Sequence, residues 1–305
     1  MQTIYIPSIK AGERLDVFLS EYLQKSRSII QKWIKNKHVL LDRKIAKSHV
    51  LIKAGQTIQI EIPLASSAPK IIPPLSILFE DKDLLVIDKQ SGVLVHPAHP
   101  DDEGTTLVDA ILAHNSTIKK VGDPKRPGIV HRLDKAVSGV LLVAKNQLMF
   151  EYLKHAFSNQ CIEKMYQALV YGILPMDEGT IDFSIERSKT KGMMVAVPRS
   201  QERGKNALTY FTVEQRFKTS TLINVFPKTG RTNQIRVHFF SIDHPLVGDP
   251  LYKKRVMKHI KPIATDRVFL HACSLTLTLP SGETKSFTSK LPEELQNILQ
   301  ALPLN

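Results

Sequence analysis

The stretch "PLASSAPKIIPP", residues 63–74, constrains this chain more than any other. It carries four prolines and two serines, and proline lacks the amide that a helix interior or inner strand needs while fixing its own backbone. One core cannot run through it, so the 305 residues are expected to form two units. The boundaries read as a module over 1–66, a linker over 67–76 and a larger domain over 77–305.

In the module, Leu15, Phe18, Leu19, Tyr22 and Leu23 recur at helical spacing between Glu13 and Leu23. A second helix is expected after Ser26, with Ile29, Ile30, Trp33 and Ile34 on a core side and Arg27, Lys32, Lys35 and Lys37 on a basic side. "QTIQIEI" alternates from Thr57 to Ile62 as a half-buried strand does. Beyond the linker, strands are expected over Leu84–Ile87, Val93–Val95, Val140–Ala144, Ala168–Tyr171, Leu208–Val213 and Leu275–Leu279, with a helix in "TTLVDAILAH". No regular βαβ period links them, so the class is α+β. The basic stretch Arg187 to Asn206 reads as an exposed hairpin or loop, lying along RNA or simply solvated.

Lysine plus arginine is 42 against 29 for aspartate plus glutamate, a net charge of +13, which favours a polyanionic partner. "MQTIYIPSIK" has no apolar signal core, and no run reaches the roughly 18 apolar residues of a membrane span. A soluble, cytoplasmic protein is the expectation. Cys161 and Cys273 stand apart, without the spacing of a zinc site or a disulfide scaffold, and read as structural thiols.

Three segments carry chemistry. "HRLDKAVSG", residues 131–139, sets Asp134 beside His131 and Arg132 just ahead of an apolar strand, where a rigid element would hold a reactive loop. A carboxylate there can act as nucleophile or base, or can close a loop salt bridge. "KTGRTNQIRVHFFSIDHPLVGDPLY" offers Arg231, Arg236, His238 and His244, with arginine able to grip phosphate or a carboxylate in two-pronged fashion or to form a structural pair. "IEKMYQALVYG" puts Tyr166 at the start of a strand, as core or as a ring that stacks on a base.

Together these segments resemble the RluA-type pseudouridine synthases. The family's His-Arg-Leu-Asp motif is present, with Val137 where threonine is usual, and its downstream arginine block appears as "GRTNQIRVH", with Asn233 where histidine is usual. "KQSG" at Lys89–Gly92, "EKMYQALVYG" and "FLHA" at Phe269–Ala272 complete the series in the family's order. The resemblance implies a mixed, largely antiparallel sheet and isomerisation of uridine to pseudouridine without cofactor or metal. It implies Asp134 as the essential carboxylate, Arg236 as the ion-pair partner that orients it, and Tyr166 as the ring that stacks on the uracil, with proton transfer as a second role. Arg132 would fill the gap left by a flipped base. His131 would be a structural hydrogen-bonding residue, and His96, Lys89 and Arg231 pocket-wall or RNA contacts.

"RLDVFL", "SRS", "KHVLLD" and "IKAGQTIQI" resemble the αL-type RNA-binding domain of ribosomal proteins, although "LDRK" lacks the Asn-Gly turn often found there. Arg27, Lys32 and Lys35 are its expected RNA contacts. The expected partner is structured RNA, foremost large-subunit ribosomal RNA, for a monomeric protein. A transfer-RNA enzyme and a non-catalytic ribosome-assembly factor are the alternatives, and the intact Asp134, Tyr166 and Arg236 set speaks against the latter.

Overall fold

The computed structural model describes residues 2–62, 72, 74–97, 104–188, 190, 192–253 and 261–304. Of the expected linker, residues 67–71 and 73 lie outside the described set, as do 189 and 191 of the basic stretch.

Residues 2–62 belong to the smaller of two compact units. It contains β1 (Gln2–Tyr5), α1 (Leu15–Leu23), α2 (Arg27–Lys35), β2 (Val39–Leu41), β3 (Lys44–Ile45) and β4 (Thr57–Ile60), with antiparallel strands in the order β1-β4-β2-β3. The expected helical stripe buries Leu15, Phe18 and Leu19 of α1 against Ile30 and Ile34 of α2 and Ile58 and Ile60 of β4. The polar side of α2 stays in solvent, with Lys32 and Lys35 exposed.

The larger unit holds β5 (Ile77–Glu80), β6 (Leu84–Lys89), α3 (Leu107–His114), β7 (Ser138–Ala144), α4 (Gln147–Ser158), β8 (Glu163–Tyr171), β9 (Glu178–Arg187), β10 (Met194–Val197), β11 (Lys205–Arg216), β12 (Ser220–Pro227), α5 (Gln234–Ser241), β13 (Leu270–Thr278), β14 (Thr284–Thr288) and α6 (Glu293–Ala301). Its sheet runs β10-β9-β11-β12-β8-β13-β7-β6-β5, with β14 on β13. The β13–β7 contact, His271 opposite Ser138 and Ala272 opposite Gly139, is parallel, and the other pairings are antiparallel. The sheet is therefore mixed and largely antiparallel, and the class is α+β.

Unbroken apolar runs in β6 and β7 follow from burial on both faces. Leu85, Ile87, Leu141 and Val143 face one core with Leu107 and Ile111 of α3 and Ile235 and Phe239 of α5. Their alternating neighbours Leu84, Val86, Val140 and Leu142 face a second core with Met149, Phe150 and Leu153 of α4. A third cluster seats Leu295 of α6 on Leu169 and Leu222. Among the described residues no helix is long and apolar enough to cross a membrane.

The expected strand at Val93–Val95 is instead a loop. Its carbonyls serve the start of α3: Leu107 N–H donates to Leu94 O at 2.8 Å and Val108 N–H to Val95 O at 3.0 Å. These are amides that the helix itself cannot satisfy. Thr106 and Asp109 close the same end in a capping box. Within the basic stretch, β10 pairs with β9 to form a hairpin, followed by a short turn at Arg199–Gln201.

Candidate active site

Most residues of "HRLDKAVSG" have a structural task around Asp134. Past Gly139, β7 separates from β13, which leaves the Leu142 amide without a strand partner. His131 Nε2 accepts that amide at 2.8 Å while its ring stacks on Phe157, centroids 4.6 Å apart. Burial, and next the nearby Lys164, drive the imidazole down to about 3, so the accepting lone pair is present at neutral pH. Leu133 and Val137 enter the core. Gly139 sits at φ 119°, and a Cβ there would lie 2.1 Å from Ala272 O, so only glycine allows the parallel contact. Ser138 Oγ accepts from Arg267 Nη2 at 2.7 Å and meets His271 Nδ1 at 2.9 Å.

The turn after Asp134 is held from below by "KQSG". Lys89, with none of its surface exposed, donates to Gln90 O, Lys135 O and Val137 O at 2.9, 3.3 and 2.7 Å. Ser91 Oγ donates to Ala136 O at 3.0 Å and Gly92 N–H to Lys135 O at 2.8 Å. Burial, then Arg267, lower the Lys89 ammonium to about 7, against the upward pull of Asp134. Lys89 is thus neither a pocket-wall group nor an RNA contact: its three donors are spent on backbone carbonyls beneath the loop. His96 is half-buried, with Nδ1 unpaired among the described residues.

Across the cleft, α5 supplies Arg236. Its Nη1 donates to Asp134 Oδ2 at 3.2 Å and to Asn233 Oδ1 at 3.0 Å. The stronger grip is on Asp249, with Nε to Oδ2 at 2.7 Å and Nη2 to Oδ1 at 2.8 Å. Burial opposes the guanidinium charge, but the bonds and charge of Asp249, followed by Asp134, raise its pKa. Asp249 also accepts the amides of Leu251 and Tyr252 at 2.9 and 3.0 Å, so a rigid turn fixes the arginine. The sequence reading did not assign Asp249. The signal available was a lone carboxylate in "VGDPLY", and nothing in its spacing named Arg236 as partner.

Asn233, the residue before α5, has φ 56° and joins Arg236 to the Tyr252 hydroxyl, 3.3 Å from its Nδ2. Gln234 is buried and fixes the adjoining loop: its Oε1 accepts from Thr229 Oγ1 at 2.7 Å and Arg231 N–H at 3.0 Å, while Nε2 donates to Leu208 O and Thr209 Oγ1. His238 and His244 bind inside the fold, to Thr209 Oγ1 and Tyr171 O.

Asp134, Tyr166, Arg236, Arg132 and Arg231 line one open pocket of about 600 Å³, mouth included. Tyr166 presents its ring from β8, and burial, then Asp134, raise its hydroxyl pKa. A phenol so shifted stays protonated at neutral pH, which suits stacking better than proton abstraction. Arg132 and Arg231 are exposed at the mouth, and Arg231 Nε is steadied by Asn206 O at 3.0 Å. Arg27, in the smaller unit, donates to Asp16 at 3.0 Å, as does Arg14 Nε. The bonds from Arg14, Gln31 and Arg27 outweigh burial and hold that carboxyl far below its usual range.

A carboxylate and an aromatic ring in one cleft with arginines at its mouth, in a chain whose earlier residues form a basic helical module, fit an RNA-modifying class. The chain belongs to the RNA pseudouridylate synthase family, whose pattern matches residues 83–241, and residues 13–58 match the S4 domain. It is of the RluA type, and an enzyme. It is 37% identical over 298 residues to an uncharacterized RNA pseudouridine synthase, YlyB, of Bacillus subtilis, covering 96% of this chain and 95% of that one. It is 39% identical over 311 residues to the ribosomal large subunit pseudouridine synthase D of Nitrosomonas europaea, covering 97% of this chain and 86% of that one. The solved human RNA pseudouridylate synthase domain containing 4 superposes with a TM-score of 0.58 at 26% identity, covering 74% of this chain and 92% of that one.

Proposed function

We propose that this chain isomerises uridine in large-subunit ribosomal RNA, with Asp134 as the essential carboxylate. The reaction breaks the bond from the ribose anomeric carbon to uracil N1, turns the base and joins C5 to the same carbon, with the C5 proton lost to solvent. Asp134 acts on the sugar or the base, Arg236 orients it, and Tyr166 stacks on the uracil. Arg132 occupies the space the extruded base leaves, and Arg231 contacts the flanking backbone. Arg27, Lys32 and Lys35 bring phosphate contacts from the smaller unit. The protein acts as a cytoplasmic monomer, and residues 67–76 link the two units.

The observation that carries the reading is the single pocket in which Asp134 and Tyr166 face Arg236. The ribosomal target is supported by the names of relatives such as the Nitrosomonas protein. Asp134→Asn removes a charge and little volume, so tritium release from RNA labelled at uracil C5 should vanish while filter-measured RNA affinity persists. Near-normal release would refute the assignment. Mapping pseudouridines in ribosomal and transfer RNA from cells lacking the protein tests the substrate.

A further inference from the structure

The strands that build the pocket also have a back. Along β12, Ile223, Val225 and Pro227 turn toward the first core and the pocket, so Asn224, Phe226 and the following Lys228 fall on the opposite face. Along β11, Thr209 bonds to α5 and Phe211 enters the first core, which leaves Leu208, Tyr210 and Thr212 on that same opposite face. Register makes these neighbours: Tyr210 lies across from Phe226, and Thr212 from Asn224, which in turn lies across from Gln167 of β8.

Among the described residues no helix joins a hydrophobic cluster with this part of the face. The α4 cluster seals β6 and β7, and the α6 cluster seals the far ends of β8 and β12 at Leu169 and Leu222. Leu208 and Phe226 remain partly exposed and join none of the hydrophobic clusters among the described residues, and Tyr210 is 40% exposed. Lys228 is exposed, its Nζ 5.7 Å from the Tyr210 ring centroid, and has no carboxylate partner among the described residues. Lys164, near the start of β8, is half-buried, likewise without an acceptor there. Burial, and next Lys228, lower its ammonium to about 8, which puts the two cations within electrostatic reach of each other.

We propose that this open sheet face is a second RNA surface, on which a single-stranded segment stacks bases on Tyr210 and Phe226 and sets a phosphate against Lys228. The inference goes beyond the uridine pocket and shares with it the premise that RNA is the partner. The occupant follows from chemistry and charge. Two adjacent aromatic rings offer π-faces to any base, Thr212 and Asn224 offer hydroxyl and amide groups to base edges while the Gln167 amide is held by Glu214 at 2.9 Å, and the unpaired Lys228 on a chain of net charge +13 calls for an anion. A strand leaving the pocket need only round the end of β12, where Pro227 faces Asp134's side and Lys228 the other.

The test measures binding of labelled oligouridylates of increasing length to the full chain, in parallel with tritium release from large-subunit ribosomal RNA labelled at uracil C5. Wild type should gain affinity as the strand becomes long enough to reach the second face. Tyr210→Ser should weaken the long strand roughly tenfold, the scale of one lost stacked base, and leave the short strand unaffected. Lys228→Met should lower the long strand's salt slope by about 0.7, the loss of one single-strand phosphate contact. Tyr210 and Lys228 are exposed, so folding of either variant is not at issue. An unchanged length dependence in Tyr210→Ser/Lys228→Met overturns the proposal. So does a wild-type dimer in sedimentation that Tyr210→Ser dissociates with RNA affinity intact, since a second copy of the chain would then be the occupant. Binding needs no turnover: an active wild type with no length effect sinks only this surface, whereas a length effect without tritium release sinks only the isomerase reading.

Discussion

Asp249→Asn is the sharpest probe of the site because no orientation of the new amide satisfies its neighbours. Oδ1 now accepts from Arg236 Nη2 and from the amides of Leu251 and Tyr252, and Oδ2 accepts from Arg236 Nε at 2.7 Å. If the asparagine oxygen keeps the Oδ1 place, its NH₂ abuts the Nε–H. If it flips, NH₂ meets three donors. Breaking a buried ion pair from one side costs about 3–5 kcal/mol, and with some bonds retained a loss of about 3 kcal/mol is expected. Arg236 would then turn toward Asp134, the carboxylate left to it, and a displacement of order 1 Å at the reacting centre lowers the single-turnover rate by about 100-fold. Far-UV circular dichroism in urea follows both units, the larger one supplying most of the helix and strand. Trp33, the sole tryptophan, lies in the smaller one and serves as an internal control whose transition should not move. A variant within about 0.5 kcal/mol of wild type, the range of neutral surface changes, and with an unaltered rate would refute the argument.

Gly139→Ala should destabilise the larger unit by about 3 kcal/mol or more, from left-handed strain plus overlap with Ala272 O, read as a lower urea midpoint. For Lys89, with a folded pKa of about 7 against 10.5 unfolded, both states carry the charge below pH 7. Between about 7 and 10.5 the unfolded chain holds more protons, so wild-type stability should rise with pH relative to Lys89→Met, at up to about 1.4 kcal/mol per unit, in denaturation at pH 6, 8 and 9. Over the same range the neutral amine has two N–H groups for three carbonyls, so the rate at saturating RNA should fall. Arg132→Ala should slow conversion of structured RNA more than of an unstructured oligonucleotide, and Arg132→Lys should restore part of the difference, in single-turnover assays; equal slowing would place Arg132 in the chemistry itself.

What the sequence disclosed and what it hid divide along a physical line. Periodicity was sufficient for α1 and α2, whose apolar faces each meet a continuous core, an unbroken apolar run was sufficient for β7, and motif order was sufficient to bring Asp134, Tyr166 and Arg236 to one pocket. Val93–Val95 misled because a short apolar run bounded by turn residues looks the same whether its carbonyls serve a ladder or a helix start. Lys89 misled because a lysine beside a reactive loop suggests a ligand contact, while burial that spends all three donors on backbone is a tertiary fact. Asp249 was invisible because the turn that aims it at Arg236 is set by strands far away in sequence. The roles of Tyr210 and Phe226 were hidden likewise, since alternation marks two faces of a strand and only the placement of α4, α5 and α6 decides which stays bare.

The place of β13 in the sheet has a consequence for how the molecule is made. Without it the larger unit is two separate sheets, β5-β6-β7 and β10-β9-β11-β12-β8, each ending in an unpaired edge. Asp134 belongs to the first and Tyr166 to the second, and α5 with Arg236 packs on the second. β13 is nearly the last strand synthesised, so a growing chain carries Asp134 and Tyr166 on two sheets that no strand yet bonds into one. A chain cut short before residues 270–278 lacks the strand that bonds the two sheets together and presents two open strand edges to whatever binds unfinished sheets.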